Sequence, residues 1–132
     1  MRSKFYVVSK EDKVGTVFSV AKYSEDKFRR TYINKIDSNG KQAYEDIIKY
    51  LIDNDSESSI MVFKFKDTEI AKHMGNAFNK NEEFVQKSKD IHCLFQSSPA
   101  IFSKDKERMS RADSALESYL ILRDHYHREG KI

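Results

Sequence analysis

One segment of the chain passes from a strand directly into a helix: Met61-Val62-Phe63-Lys64-Phe65-Lys66-Asp67-Thr68-Glu69-Ile70-Ala71. Residues 60–65 alternate between two unlike sets of side chains, which is typical of a β-strand whose two faces meet different surroundings. We expect Phe63 and Phe65 to face a core. Lys64 and Lys66 share the opposite face of the same strand.

The second half of this segment opens a helix. Asp67 and Thr68 can cap it, because their side-chain oxygens accept hydrogen bonds from backbone amides that have no partner within the helix. Apolar residues then recur at helical spacing and predict one buried stripe: Ile70, Ala71, Met74, Ala77 and Phe78.

Upstream, the sequence predicts three strands and one helix. β-Branched and aromatic residues mark strands over residues 4–8, 16–21 and 27–36, and a polar turn at residues 11–15 joins the first two. The cluster Asp37-Ser38-Asn39-Gly40 can cap a helix. The apolar stripe of that helix follows: Ala43, Tyr44, Ile47, Ile48 and Leu51.

Downstream, the sequence predicts two more helices and a strand. Asn81 can cap a helix that carries Phe84, Ser88, Ile91 and Phe95, with Cys93 near its end. Residues 99–102 form a short strand candidate, and residues 103–108 are expected to be a charged loop. A final helix carries a last apolar stripe: Ala112, Ala115, Leu116, Tyr119 and Leu120.

The resulting order, β-β-β-α-β-α-α-β-α, predicts an α/β fold. Strands that are separated by helices usually join one sheet as parallel neighbours through right-handed crossovers. We therefore expect a five-stranded mixed sheet, three antiparallel strands and then two more, with about four helices. At 132 residues, the chain is expected to form a single domain over residues 1–132.

Composition excludes several classes of function. No apolar run has the length of a membrane span, and the first residues do not resemble a signal peptide, so a cytoplasmic protein is expected. The net charge of +3, from 24 Lys and Arg against 21 Asp and Glu, is far below that of a histone-like tail. Cys93 is the only cysteine and the four histidines lack a zinc spacing, so we expect no metal and no cofactor.

The element order is similar to the ribonuclease H-like fold, and two local stretches sharpen the resemblance. Residues 61–71 resemble the family's fourth strand running into its Asp-Ser pair, with Thr68 in place of serine. Residues 109–116, Met-Ser-Arg-Ala-Asp-Ser-Ala-Leu, resemble the Asn-x-x-Ala-Asp-x-x-Ala stretch that opens the family's last helix. The resemblance places Asp67 and Asp113 on two of the family's carboxylate positions.

The sequence also departs from the family pattern. Enzymes that it resembles use four carboxylates around two magnesium ions, but residues 4–9 of the first strand contain no acid. The second carboxylate belongs early in the first helix, where Gln42 or Ala43 stands, and Glu45 would project in a different direction. Two acids could hold at most one loosely hydrated magnesium ion. The resemblance therefore implies a degenerate domain without nuclease activity.

Each acid also has a purely structural interpretation. Asp67 can simply be the N-cap of the helix that follows the fourth strand. Asp113 can complete an approximate capping box with Ser110 at the start of the last helix.

The candidate contact residues are basic. Lys64 and Lys66 flank the position that substrate phosphates approach in the family, although they can also be a solvated strand end. The third strand interleaves Phe28 and Tyr32 with four cations, a combination that suits backbone contact and base stacking but also occurs on exposed strands. These cations are Lys27, Arg29, Arg30 and Lys35.

The leading hypothesis is a non-catalytic ribonuclease H-like protein that binds a nucleic acid or a protein that handles one. The small Lys-, Asn- and Ser-rich chain suits an accessory factor of a phage or mobile element. One alternative is a divergent metal-dependent nuclease in which Asp67 and Asp113 recruit Asp12, Glu45 or Glu69. Another is a protein-interaction module that modulates a host protein through a sheet edge or the last helix. The partner, the choice of DNA or RNA, and the oligomeric state are left open.

Overall fold

The computed structural model describes residues 1–80, 91–97, 103–128 and 130. Its elements in chain order are β1 (Arg2–Asp12), β2 (Gly15–Ser24), β3 (Lys27–Ile36), α1 (Gly40–Asn54), β4 (Ile60–Phe65), α2 (Thr68–Lys80), β5 (His92–Ser97) and α3 (Ser103–Arg128). The predicted α/β class is confirmed. The described ranges contain three helices, against about four expected, and none of these is long and apolar enough to cross a membrane.

The five strands form one mixed sheet in the order β3-β2-β1-β4-β5. β2 is antiparallel to both β1 and β3, whereas β4 is parallel to both β1 and β5. The predicted meander and the predicted parallel strands are therefore both confirmed. The parallel strands follow from the helical connections, because a chain that crosses over a sheet re-enters it in the same direction.

The sheet is covered on both faces, and two separate cores result. α1 and α2 cover one face, where the rings of Phe5, Phe63 and Phe95 stack across β1, β4 and β5 with centroids 5.3 Å apart at each step. α3 covers the other face, where its residue Leu116 packs in a cluster that contains Tyr6. Because successive strand residues point to opposite faces, β1 contributes to both cores.

A glutamate of β1, and not the expected cap cluster, caps the start of α1. Asn39 makes no side-chain cap bond, and the carboxylate of Glu11 accepts the hydrogen bond of the Gly40 amide. The side-chain amide group of Asn39 instead donates to the Asp12 carbonyl, and its Oδ1 atom accepts from the Thr16 hydroxyl. Long-range contacts therefore fix the end of β1 against the start of α1.

The prediction that Phe95 lies near the end of a helix is wrong, because residues 92–97 form the edge strand β5. β5 pairs with β4, and the ring of Phe95 stacks on Phe63, so sheet pairing overrides the helical spacing. Cys93 accordingly lies in this strand, and burial raises the pKa of its thiol to about 12. The expected cap at Asn81 and the strand candidate at residues 99–102 lie outside the described residues.

The charged loop expected at residues 103–108 is also wrong, because α3 already begins at Ser103. Its first turns are fixed by contacts with distant residues. The Tyr6 hydroxyl donates to Asp105 at 2.6 Å, and Arg108 is 5% exposed with its guanidinium 4.2 Å from the centroid of the Tyr23 ring. These contacts have no periodic signature in the sequence.

A buried ion pair joins the centre of the sheet to the end of α1. The Nζ atom of Lys22 lies 2.6 Å from Oδ2 of Asp55, and the two side chains are 2% and 0% exposed. Burial alone would raise the pKa of Asp55. The hydrogen bond from Lys22 and those from the amides of Ser58 and Glu57 outweigh burial, so the pKa stays below its ordinary value.

We predict that Asp55→Asn lowers the free energy of unfolding by about 3–5 kcal/mol, because it removes the buried counter-charge of a buried ammonium and leaves only the exposed carboxylate of Glu57. The pKa of Asp55 is lowered in the folded state, so its contribution is present at neutral pH. It is lost as the pH falls through the folded-state pKa, below about 3.9. Urea denaturation at several pH values measures both effects.

Glu57→Gln is the matched control. Glu57 also contacts Lys22, at 3.2 Å, but its side chain is 65% exposed. Its loss should cost less than about 1 kcal/mol. Equal losses in the two variants would contradict the assignment of the stabilisation to the buried pair.

Candidate functional site

The candidate site lies at the carboxyl ends of the parallel strands β1 and β4. In open α/β sheets, ligands bind preferentially at this edge, because the chain leaves the strands there and opens a crevice. A small cavity of about 90 Å³ occupies the position, lined among others by Ser9, Tyr44, Lys66 and Asp67. β1 supplies the serine, α1 the tyrosine, and the β4–α2 junction the last two.

Where β1 meets α1, the site contains neutral groups. The Ser9 hydroxyl donates a hydrogen bond of 3.0 Å to the Tyr44 hydroxyl. Ala43 is buried, and the amide of Gln42 donates to Asp46 at 3.1 Å. Neither of the two candidate helix positions therefore presents a carboxylate to β1.

Asp67 lies where β4 ends and acts as a helix cap. Its Oδ1 atom accepts the backbone amide of Glu69 at 2.8 Å, in the first turn of α2. The interpretation of Asp67 as the N-cap of this helix therefore agrees with its local geometry.

Asp113 forms an ion pair with Lys66. The Nζ atom of Lys66 lies 2.7 Å from each carboxylate oxygen of Asp113, and the side chains are 57% and 44% exposed. The expected capping box with Ser110 is wrong, because α3 starts at Ser103 and both residues lie in its interior. This exposed pair joins the end of β4 to α3.

Lys64 has a different environment from Lys66, although both lie on the α3 side of the sheet. Its side chain is 12% exposed, and its Nζ atom lies 3.8 Å from Asp105. Because α3 covers it, Lys64 is not part of the open site. Of these two predicted contact residues, Lys66 is the accessible one.

The structure does not bring the four cations of β3 to the candidate site. Arg30 pairs with Lys22 of β2, and Lys35 pairs with Val17 of the same strand. Lys22 and Val17 are five residues apart and therefore point to opposite faces of the sheet. Arg29 lies 3.6 Å from Glu25. Lys27 pairs with Ser24, at the end of β2 that lies beside the start of β1. These residues therefore divide between the two faces and the two ends of an edge strand.

An arginine side chain packs on each of two aromatic rings of β3, although Phe28 remains 39% exposed. Arg111 of α3 lies 4.2 Å from the centroid of the Phe28 ring, and Arg30 lies 4.4 Å from that of Tyr32. Tyr32 is 4% exposed, so its face is not open to a base. β3 is thus a charged edge, which suits protection against unwanted strand pairing.

The residues at this edge do not fit a pair of magnesium ions. Magnesium requires several converging oxygen ligands, and the described ranges contain no cluster of three or more His, Cys, Asp or Glu side chains with the geometry to hold a metal. The Lys66 ammonium lies against Asp113, where it would repel a cation. Asp12, one of the proposed substitutes, lies 3.5 Å from Arg123.

Two features of the site were not predicted from the sequence. Tyr44 was assigned to the apolar stripe of α1, and its ring does pack on Phe65, but its hydroxyl also reaches Ser9. The contact of Lys66 with Asp113 joins residues 47 positions apart. The only sequence signal for that contact was the placement of Lys66 beside the strand end and of Asp113 on the last helix.

We predict that magnesium does not stabilise the folded protein. A ligand that binds only the folded state adds about 2.7 kcal/mol at a concentration 100 times its Kd, which thermal unfolding detects. Titration to about 10 mM magnesium reaches about 100 times the Kd of a 0.1 mM site and would saturate it. Tm should nevertheless stay unchanged, because the described ranges contain no converging set of ligands for the ion. A saturable rise in Tm that Asp67→Asn abolishes would contradict this prediction. Lys66→Ala, which leaves Asp113 unpaired, serves as the comparison.

A scan of the chain against protein-family models finds no match. A search among curated proteins also finds no match. Among solved structures, the chain is similar to the crystal structure of LC11-RNase H1 in complex with RNA/DNA hybrid, with a TM-score of 0.52 and 13% sequence identity. The superposition covers 89% of this chain and 95% of that chain. The five-stranded mixed sheet and this likeness together show that the chain has the ribonuclease H-like fold.

Proposed function

We propose that this chain is a non-catalytic ribonuclease H-like domain that binds nucleic acid at the carboxyl ends of β1 and β4. The observation that carries the proposal is the ion pair of Lys66 and Asp113, at 2.7 Å, on the exposed side of this edge. The fold likeness to an RNase H1 in complex with an RNA/DNA hybrid supports the choice of ligand.

The chemistry of the edge supports binding without cleavage. A two-metal mechanism needs carboxylates that hold both ions in line with the scissile phosphate. Here Ser9 and Tyr44 form a neutral hydrogen bond, and an ammonium group lies beside Asp113. A lysine can attract a phosphate directly as a point charge, so binding needs no metal.

Asp113 competes with the ligand for Lys66. The carboxylate occupies the ammonium in the free protein, and a nucleic-acid phosphate must displace it. Both side chains are about half exposed, so the pair itself contributes little to stability and its exchange costs little. The contribution of Lys66 to the affinity is therefore the difference between its ion pair with a phosphate and its ion pair with Asp113.

We predict opposite effects from the two members of this pair. Lys66→Glu should weaken binding about tenfold and lower the salt slope by about one phosphate contact. Asp113→Asn should strengthen binding about threefold, because it frees Lys66. Fluorescence anisotropy with single-stranded DNA, duplex DNA, RNA and an RNA/DNA hybrid, each with a 5′-hydroxyl, measures both across a range of salt concentrations.

Lys104 and Asp26 provide the matched control pair. They form an exposed ion pair of 3.0 Å at the other end of the sheet, and their side chains are 60% and 68% exposed. Because the substrates carry no terminal phosphate, Lys104→Glu and Asp26→Asn should each change the affinity less than about twofold. Equal effects at both pairs would show a general charge effect and would overturn the assignment to Lys66.

The same samples test for cleavage. Substrates recovered after incubation with magnesium or manganese should be intact on a gel. Cleavage that Asp67→Asn abolishes would favour the divergent nuclease. If all four substrates are intact and none binds at low salt, the nucleic-acid proposal fails.

The second candidate function is a protein-interaction module. Apolar side chains on the last turns of α3 are unusually exposed, with Ile121 at 61% and Leu122 at 55%. Such residues are typical of surfaces that bind another protein. Failure of nucleic-acid binding, together with a complex that survives nuclease treatment and is lost in Leu122→Glu, would favour this function. A phage or mobile-element origin stays a prediction.

A further inference from the structure

A second cavity lies at the opposite end of the sheet from the candidate site. It has a volume of about 390 Å³, and its charged walls come from β1, the β2–β3 turn and α3. Arg2 and Lys4 of β1 line it, so it lies about 20 Å along this strand from Ser9. The remaining lining residues are Met1, Tyr23, Glu25, Asp26 and Arg108.

Arg108 forms a rigid cationic wall of this cavity. Its side chain is 6% exposed, and the guanidinium lies 4.2 Å from the centroid of the Tyr23 ring. One terminal nitrogen donates to the Tyr6 hydroxyl at 3.4 Å, and the other donates to Asp26 at 3.3 Å. The stacking and the two hydrogen bonds hold the group in one orientation, so a ligand meets a fixed charge.

The carboxylates in and beside the cavity already have cationic partners. Asp26 lies 3.0 Å from Lys104, in addition to its contact with Arg108. Glu25 lies 3.6 Å from Arg29, which does not line the cavity. Asp105, below the cavity, lies 3.8 Å from Lys64. Each of these carboxylates is therefore in direct contact with a cation other than Arg2 or Lys4.

The side chains of Arg2 and Lys4 have no hydrogen-bond or ion-pair partner among the residues that the structure describes. They lie two residues apart on β1 and both line the cavity. Burial, followed by repulsion from Lys64 and Arg108, lowers the pKa of Lys4, and attraction to Asp105 and Asp26 only partly offsets this shift. The lining thus contains three cationic side chains, Arg2, Lys4 and Arg108, against the two carboxylates of Glu25 and Asp26. An anion would relieve this excess of positive charge.

We propose that this cavity binds a phosphate group. Two flexible cations and one fixed guanidinium approach from different elements, which suits a tetrahedral anion with several oxygens better than a planar carboxylate. Tyr23 is 7% exposed and its ring is already stacked, so the cavity offers no aromatic face to a base. The phosphate group itself is thus the recognised part, as inorganic phosphate or as the terminal phosphate of a nucleotide or oligonucleotide.

The test is a titration of the ¹⁵N-labelled full chain with inorganic phosphate, followed by amide chemical shifts. Saturable shifts are expected at Arg2, Lys4, Asp26 and Arg108 and not at Ser9 or Lys66. Lys4→Gln and Arg2→Gln should each weaken binding about fivefold. Arg2 is exposed and Lys4 is half-buried, and neither side chain forms an ion pair with a described residue that the fold would lose. Lys10→Gln, on the same face at the other end of β1, should change it less than about twofold.

Further ligands identify the source of the phosphate. Adenosine 5′-monophosphate should bind at least as well as inorganic phosphate, and adenosine should not bind. A 5′-phosphorylated oligonucleotide is compared with its 5′-hydroxyl form. Shifts that do not saturate, shifts spread over the whole surface, or affinities that Lys4→Gln leaves unchanged would overturn the proposal. Because inorganic phosphate is the first probe, the result does not depend on nucleic-acid binding at Lys66.

Discussion

The parallel pairing of β1 with β4 is the constraint on which the rest of the structure depends. Its register, in which Phe5 lies beside Phe63 and Val7 beside Phe65, carries both strands to the same edge of the sheet. Two residues further along each strand, Ser9 and Asp67 meet at that edge. A shift of one residue would turn every side chain of β1 to the other face. The residues that β1 contributes to the two cores would then be exchanged.

α3 contacts this strand pair at two places, one covered and one exposed to solvent. Near its start, Asp105 and Arg108 are largely covered and bind Tyr6, which lies in the middle of β1. Burial, followed by the hydrogen bond to Asp105, raises the pKa of Tyr6 to about 12, so its hydroxyl stays protonated. Ten residues past the start of the helix, Asp113 meets Lys66 on the open surface. Buried polar contacts therefore fix the start of the helix, whereas the exposed pair at Asp113 contributes little to its position.

The sequence predicted most of the fold because alternation and helical spacing are local signals. β3 and β4 were predicted at their observed bounds, and the parallel pairing followed from the helix between the strands. β5 was missed because its identity depends on β4, which presents Phe63 to Phe95. The first turns of α3 were missed for a related reason, since polar contacts and not an apolar stripe hold Arg108.

The candidate site was only half predictable. A motif placed Asp67 and Asp113 near one edge, and the contact of Lys66 with Asp113 brings the end of β4 and α3 together there. No local pattern reports that Lys66 turns toward Asp113 or that Tyr44 reaches Ser9, because both contacts join distant parts of the chain. The basic stretch of β3 showed the opposite limitation. Its composition suggested one surface, whereas the strand divides its side chains between two faces.

Under the proposed function, the polar groups at this edge avoid charge repulsion without a metal ion. Four carboxylates that converge repel one another strongly unless metal ions neutralise them. A neutral hydrogen bond between Ser9 and Tyr44 and the ion pair of Lys66 with Asp113 remove that repulsion without a metal. The carboxyl ends of β1 and β4 can then stay together in the apo protein. Under the proposed function, the Lys66 ammonium attracts a phosphate as a point charge, so binding needs no metal ion.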